Sequence, residues 1–128
     1  MTKLAVNLSM IFTEVPLIER FALAHQHDFH HVEIQFPYKL TIDDIRAQLK
    51  RYDLSLCLIN VPTGDLIQNK DGLASVPDQE IAFHQAVELA IEYASALNVP
   101  SVNILAGKQP QNADLLPCLN TLADNLKL

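Results

Sequence analysis

The sequence predicts an α/β fold in which four strand-helix units build one parallel sheet. Three observations support this prediction. Hydrophobic residues make up 49% of the 128 residues, which is enough for a substantial core. Short apolar runs alternate with segments of helical periodicity. The clearest run, residues 54–59 (LSLCLI), is almost continuously apolar, as is typical of parallel strands that are covered on both faces.

The strands are predicted at residues 4–8, 31–35, 54–59 and 101–106. Residues 60–77 follow the third strand and contain two of the three glycines, so we predict a long loop there. Long loops inside compact domains are usually functional, which makes this segment a candidate part of a binding site.

The helices are predicted from their caps and their apolar faces. Thr13, with Pro16 shortly after it, is the predicted N-cap of the first helix, and Thr41 is the predicted N-cap of the second. The third and clearest helix is expected over residues 78–97, and a last helix over residues 115–128.

Polar residues in or at the end of the predicted strands indicate the architecture. Asn7, Glu33, Asn60 and Asn103 recur once per strand-helix unit. A closed eight-stranded TIM barrel takes about 250 residues, so this chain supplies four of the eight units, a half-barrel that forms one domain over residues 1–128. A flavodoxin-like sheet is the competing interpretation, but such domains usually bring a fifth strand.

Charge and composition exclude several partners. The net charge is −6 and the nine Lys and Arg residues are scattered, so no nucleic-acid partner is expected. No apolar run approaches the roughly 20 residues of a membrane-spanning helix, so no membrane association is expected. Cys57 and Cys118 lie far apart without a metal or disulfide pattern, which favours reduced thiols in a cytoplasmic protein.

Four motifs carry a resemblance to a known family. They are residues 7–12 (NLSMIF), 32–38 (VEIQFPY), 60–65 (NVPTGD) and 102–107 (VNILAG). In this order they resemble hydroxypyruvate isomerase and its relatives that act on 2-oxo-tetronates, which are xylose-isomerase-like TIM barrels. The similarity runs over nearly the whole chain but corresponds only to the N-terminal half of that family's barrel.

The resemblance implies an aldose–ketose type isomerisation of a small hydroxy-carbonyl acid, either hydroxypyruvate and tartronate semialdehyde or a 2-oxo-tetronate. In such a reaction a base removes the proton next to the carbonyl group. A divalent metal, Mg²⁺ or Mn²⁺, belongs to the complete enzyme. The family's catalytic and metal-binding residues lie in its second half, so we assign no catalytic residue, metal ligand or cofactor to this chain and expect it to be inactive in isolation.

The barrel architecture selects candidate substrate-binding residues, because strand residues at the C-terminal ends face the active-site mouth. Amide side chains suit a polyol substrate, since they both donate to and accept from hydroxyl groups. For Glu33 a structural acid is the alternative, and for the Thr-Gly-Asp sequence a simple turn. The candidates are Asn7, Glu33, Tyr38, Asn60, Asp65 and Asn103.

Two further features bear on the site. The histidines at positions 25, 27, 30 and 31 straddle a predicted helix end and strand start, and we interpret them as solvated side chains, not as a metal cluster. Relatives usually have a glycine where this chain has Asp28, so a left-handed helix end would be costlier here. They often have a histidine where this chain has Ile59.

A second function class remains open, namely a catalytically incomplete half-barrel that self-associates and at most binds small ligands. Both hypotheses leave the first and fourth strands with open edges, so we expect a homo-oligomer or a pair with a C-terminal half. A nuclease of the related endonuclease barrels fits poorly, because it requires a basic groove.

Overall fold

The computed structural model describes residues 2–68 and 70–127, in which four β-strands alternate with four α-helices. The strands are β1 (Ala5–Asn7), β2 (His31–Glu33), β3 (Ser55–Asn60) and β4 (Ser101–Asn103). The helices are α1 (Leu17–Gln26), α2 (Ile42–Arg51), α3 (Glu80–Leu97) and α4 (Leu115–Asn125), and short 3₁₀ helices cover Pro37–Lys39 and Leu66–Gln68. No helix in these two ranges is long and apolar enough to cross a membrane.

The four strands form one sheet in the order β1-β2-β3-β4, and every neighbouring pair is parallel. Parallel neighbours require crossover connections, which the helices provide. This confirms the predicted α/β fold of four parallel strand-helix units. Strands that follow one another in chain order belong to a barrel wall, whereas a flavodoxin-like sheet would have its first two strands exchanged.

The chain divides into two compact units. The first consists of the residues up to Asn60 together with Ile91–Asn103, and it holds the whole sheet. The second consists of Val61–Ala90 and the residues from Ile104 onwards. The prediction of a single domain over residues 1–128 stays a prediction.

The core of the first unit lies between one face of the sheet and its helices. Val32 and Ile59 are fully buried on this face, and Phe21 of α1 and Ile45 of α2 are fully buried against it. Alternation along a strand then places Glu33, the neighbour of Val32, on the opposite face. The other buried members of this core are Val6, Leu8, Ala24, Ile34, Leu54, Leu56, Tyr93 and Leu97.

Three helix ends within the first unit have the same kind of turn. Asp28, Asp53 and Asn98 follow α1, α2 and α3 with φ of +63°, +51° and +55°, a left-handed conformation that usually favours glycine. In each turn the following residue donates its backbone N–H to the carbonyl of the residue five positions earlier, as Phe29 N does to the Ala24 carbonyl at 3.0 Å. The left-handed conformation expected at Asp28 is therefore present.

The two N-cap predictions had different outcomes. Thr41 caps α2 as predicted, because its side-chain oxygen accepts the backbone N–H of Asp44 at 3.1 Å. The prediction for Thr13 was wrong, since α1 begins only at Leu17 and no side chain caps it. Pro16 precedes the helix in an extended conformation, with φ −57° and ψ 150°, and this delays the helix start.

The regular part of β2 is shorter than predicted. It ends at Glu33, directly after the β2–β3 register shifts between Val32 and Glu33. Hydrogen bonding continues beyond this irregularity, since Ile34 N donates to the Leu58 carbonyl at 3.2 Å and Asn60 N donates to that of Gln35 at 2.9 Å. The chain is therefore still paired up to the predicted end at Gln35.

Strand β4 and helix α4 also end earlier than predicted. The β3–β4 ladder stops at the pair Asn60–Asn103, because Pro62 follows shortly and has no N–H to donate. Helix α4 ends at Asn125, and Leu128, to which we predicted it to extend, lies outside the described residues.

The second unit has polar anchors of its own. Asn125 is buried at the end of α4 and donates its side-chain amide to the Ala74 carbonyl at 2.8 Å.

Gly107 has φ +91°, and a side-chain carbon at this position would lie 2.5 Å from the Asp71 carbonyl oxygen. Only glycine fits there, and the next backbone N–H, that of Lys108, donates to this carbonyl at 2.8 Å.

Candidate functional site

Each of the four strands ends in one of the predicted polar residues, namely Asn7, Glu33, Asn60 and Asn103. Asn7 is in register with Glu33, and Asn60 is in register with Asn103. Parallel strands bring their C-terminal ends to the same edge of a sheet, so the four side chains line one edge of the first unit. The structure thus groups the four strand residues that the sequence selected.

Asn60 and Asn103 form a hydrogen-bonded pair. The side-chain nitrogen of Asn103 donates to the side-chain oxygen of Asn60 at 3.1 Å. Asn60 is 5% exposed, whereas Asn103 lies at the open end of β4 and is exposed. Within the described part of the chain, the Asn60 nitrogen and the Asn103 oxygen make no further hydrogen bond. The pair therefore offers one free donor group and one free acceptor.

Tyr38 supports this pair from the loop after β2. Its hydroxyl group donates to the backbone carbonyl of Asn60 in a short hydrogen bond. Its ring packs edge-on against Tyr93 of α3 with centroids 5.0 Å apart, and the Tyr93 hydroxyl donates to the Leu40 carbonyl at 2.7 Å. Burial, with a smaller contribution from Tyr93, raises the pKa of Tyr38 above its ordinary value, so this hydroxyl remains a donor at neutral pH.

Asn7 is anchored in the loop after β1. Its side-chain oxygen accepts the backbone N–H of Ser9 at 2.9 Å, and the Ser9 hydroxyl in turn accepts the backbone N–H of Gln35 at 2.8 Å. These bonds connect the loops after β1 and β2. They leave the side-chain nitrogen of Asn7 without a partner among the described residues.

Arg20 of α1 completes the support of this loop and is a residue that the sequence prediction missed. Its guanidinium group donates to the Leu8 carbonyl at 2.7 Å and to the Val15 carbonyl at 2.9 Å. One signal was present in the sequence, because Arg20 lies next to Phe21 and three residues after Leu17, two apolar residues at helical spacing. Ser9 and Tyr93 were not among the predicted site residues either, although Ser9 lies in the motif of residues 7–12.

Glu33 is half-buried on the face of the sheet that no helix of the first unit covers. Its carboxylate makes no ion pair or hydrogen bond within residues 2–68 and 70–127. The Glu33 charge also affects Cys57. Burial raises the pKa of the Cys57 thiol most, and the Glu33 charge raises it further, while a hydrogen bond with the Val32 backbone and the charge of Lys3 lower it by smaller amounts. Cys57 is therefore a neutral thiol at neutral pH, not a nucleophile.

Asp65 belongs to the second unit, in the long loop after β3. One of its carboxylate oxygens accepts the backbone N–H of Gly72 at 3.1 Å, and Gly64 beside it has φ +59°. This is the turn geometry that we weighed as the alternative for Asp65. The carboxylate is exposed and keeps acceptor capacity in addition to this bond.

The described residues contain no group of three or more His, Cys, Asp and Glu side chains that could hold a metal ion. Two of the clustered histidines contact aromatic rings. His27 stacks on Phe12 with ring centroids 5.3 Å apart, and His25 lies 5.6 Å from the ring of Tyr52. His25 and His27 are both exposed.

Comparison with known proteins agrees with this arrangement. The family model "xylose isomerase-like TIM barrel" matches residues 21–128. The chain is 35% identical to a 2-oxo-tetronate isomerase of Haemophilus influenzae and 36% identical to a hydroxypyruvate isomerase of Escherichia coli. Each match covers 99% of this chain and 49% of the relative.

A solved structure shows the same relationship. A crystal structure named AP endonuclease, family 2, from Brucella melitensis superimposes with a TM-score of 0.92 at 35% identity and covers 99% of this chain and 49% of its own. The chain thus spans about half the length of the relatives that it matches. From the family model, the relatives and the parallel sheet, we conclude that the chain belongs to the xylose isomerase-like TIM barrel family.

Proposed function

We propose that this chain is the N-terminal half of an isomerase that acts on a small hydroxy-carbonyl acid, either hydroxypyruvate and tartronate semialdehyde or a 2-oxo-tetronate. The observation that carries the proposal is the row of strand-end side chains, Asn7, Glu33, Asn60 and Asn103. The names of the relatives support the same substrate class over nearly the full length of this chain.

The free groups of this row suit such a substrate. The side-chain nitrogens of Asn7 and Asn60 can donate to carboxylate or carbonyl oxygens. The Asn103 oxygen and the Glu33 carboxylate can accept hydroxyl protons. In our proposal this half therefore binds and orients the substrate, while Tyr38 and Ser9 hold the binding groups in place.

The proton transfer itself requires groups outside this chain. An aldose–ketose isomerisation needs a base that removes the proton next to the carbonyl group. A Mg²⁺ or Mn²⁺ ion in the complete enzyme would stabilise the negative charge that develops on the substrate oxygen. The described residues hold no cluster that fits such an ion, so we assign its ligands and the base to the other half of the barrel.

Two features favour a small acid over a nucleic acid as the substrate. The net charge of −6 opposes binding of a phosphate backbone. The open edge offers amide groups and one carboxylate, which recognise hydroxyl and carboxylate groups individually. Cys57 and Cys118 are free, which supports our proposal of a cytoplasmic location.

Substrate binding can be tested on the chain by NMR, with the asparagine side-chain amides as reporters. On titration with hydroxypyruvate we expect the signals of Asn7, Asn60 and Asn103 to shift. Those of Asn98 and Asn120, which are exposed elsewhere, should stay in place. Pyruvate, which lacks the hydroxyl group, should cause smaller shifts. Equal shifts at all asparagines, or none at the strand ends, would contradict the proposal.

Catalysis can be tested by adding the C-terminal half of the Escherichia coli hydroxypyruvate isomerase. The chain alone should not convert hydroxypyruvate with Mg²⁺ or Mn²⁺, whereas the two halves together should. Turnover by the chain alone would show that the second half is not required. Self-association of the chain, with no turnover of hydroxypyruvate or a 2-oxo-tetronate by the mixture, would favour the alternative, a half-barrel that only self-associates and binds ligands.

A further inference from the structure

The strands of the first unit carry a single acidic residue and no lysine or arginine. That acid is Glu33, which follows the fully buried Val32 and points to the face opposite the helices. Its sheet neighbours in register are Asn7 on one side and Leu58 on the other. The remaining strand residues of this face are small or neutral, apart from His31.

Glu33 has no partner for its charge within the described part of the chain. The Glu33 side chain is half-buried in the structure, so part of it still reaches solvent. When an eight-stranded barrel closes, this face becomes the interior, which side chains fill. A carboxylate that is buried without a partner is strongly unfavourable, so whatever covers the face has to supply a cation or hydrogen-bond donors.

A second copy of this chain does not meet that requirement. Two copies would close an eight-stranded barrel about a two-fold axis, with β1 of each copy beside β4 of the other. In that arrangement β2 lies directly across the barrel from the second β2. The two Glu33 carboxylates would then lie on opposite walls of one closed barrel, where like charges repel.

We propose that the open face of the sheet binds a complementary half-barrel that places a lysine or arginine side chain against Glu33, and that a second copy of this chain does not take its place. The inference rests on the proposed function, in which this chain is one half of an isomerase barrel. The relatives, which are about twice as long, supply a candidate partner in their second half.

The experiment uses the C-terminal half of the Escherichia coli hydroxypyruvate isomerase as the probe, expressed and purified separately from this chain. Light scattering and titration calorimetry give the mass of the complex and its dissociation constant. We expect a complex of one chain with one probe, weakened about 30-fold by Glu33→Gln and abolished by Glu33→Lys. The control Glu92→Gln removes an exposed acid from α3 and should leave the affinity unchanged.

The oligomeric state of the chain alone is the second readout. We expect a monomer at micromolar concentration and neutral pH, and more self-association for Glu33→Gln than for the unmodified chain. A stable dimer of the unmodified chain, no complex with the probe, or an affinity that Glu33→Gln leaves unchanged would overturn the inference. Circular dichroism verifies that the variants fold, and because mass is measured instead of turnover, failed pairing is distinguished from a wrong substrate.

Discussion

The two faces of the four-stranded sheet differ in how far the chain itself completes them. On the helix-covered face, Val32, Leu56 and Ile59 are at most 2% exposed and pack into one apolar core. On the other face, Asn7 and Glu33 are half-buried and Asn103 is exposed. The first face therefore carries the stability of this unit, and the second carries polar groups that keep free donor or acceptor atoms within the described residues.

The difference is energetic as well as geometric. An apolar side chain gains free energy from burial against any well-packed neighbour, and the helices of the same chain provide those neighbours. A carboxylate or amide gains free energy from burial only when a hydrogen-bonding or charged partner is present. The open face carries several such groups with atoms that have no partner in the described residues. Substitutions on the two faces should accordingly affect different measurements.

The sharpest test compares adjacent residues of β3. Ile59→Ala removes a fully buried side chain from the helix-covered core and should lower the free energy of unfolding by about 3 kcal/mol. Leu58→Ala removes a half-buried side chain and should cost about 1 kcal/mol. Urea denaturation measures both. Equal losses would mean that the faces contribute equally to stability.

Tyr38 packs against the apolar core and donates to the Asn60 backbone, so its hydroxyl group should matter for stability. Tyr38→Phe leaves the Asn60 carbonyl without its donor and should cost about 1–2 kcal/mol at pH 7. The matched control is Tyr52→Phe, because the Tyr52 hydroxyl has no hydrogen-bond partner in the described residues. A similar loss in both variants would contradict a specific role for Tyr38.

The same variant makes a prediction about pH. The pKa of Tyr38 is raised above its ordinary value of 10.0, so the folded protein holds this proton more tightly than the unfolded chain does. The stabilisation is fully present below pH 10 and is lost as the pH rises further. The stability difference between the unmodified chain and Tyr38→Phe should therefore shrink above pH 10.

The smallest expected effect concerns the turn after α1. Asp28 has φ +63°, which glycine adopts without steric cost, so Asp28→Gly should stabilise the chain by about 0.5 kcal/mol. Asp28→Ala at the same position should destabilise it by a comparable amount, because alanine tolerates this conformation less well than aspartate does. A destabilising glycine, measured by thermal unfolding, would show that the aspartate side chain has a further role there.

Much of the fold could be predicted from local signals. The order of strands and helices follows from apolar runs and helical periodicity, and the cap at Thr41 follows from a threonine before acidic residues. The same signal failed at Thr13, where the conformation at Pro16 delayed the helix. The strand ends were also uncertain, because a register shift and a proline in the neighbouring segment decided them.

In the candidate site, the positions of the residues could be predicted from the sequence, but their hydrogen bonds could not. Position within a strand is a local property, so Asn7, Glu33, Asn60 and Asn103 could be placed in or at the end of the strands from the sequence. Hydrogen bonding joins residues that are far apart in the chain. The bond from Asn103 to Asn60 spans 43 residues, and that from Tyr93 to Leu40 spans 53.

The parallel strand-helix order, the family and the polar residues in or at the end of each strand could be predicted from the amino-acid sequence alone. The tertiary structure was needed to show which of their polar atoms already make hydrogen bonds. It showed that the Tyr38 hydroxyl is bound to the Asn60 backbone and that Glu33 has no partner in the described residues. Apolar periodicity depends on residues that are close together in the sequence, whereas these hydrogen bonds depend on which distant segments the fold brings together.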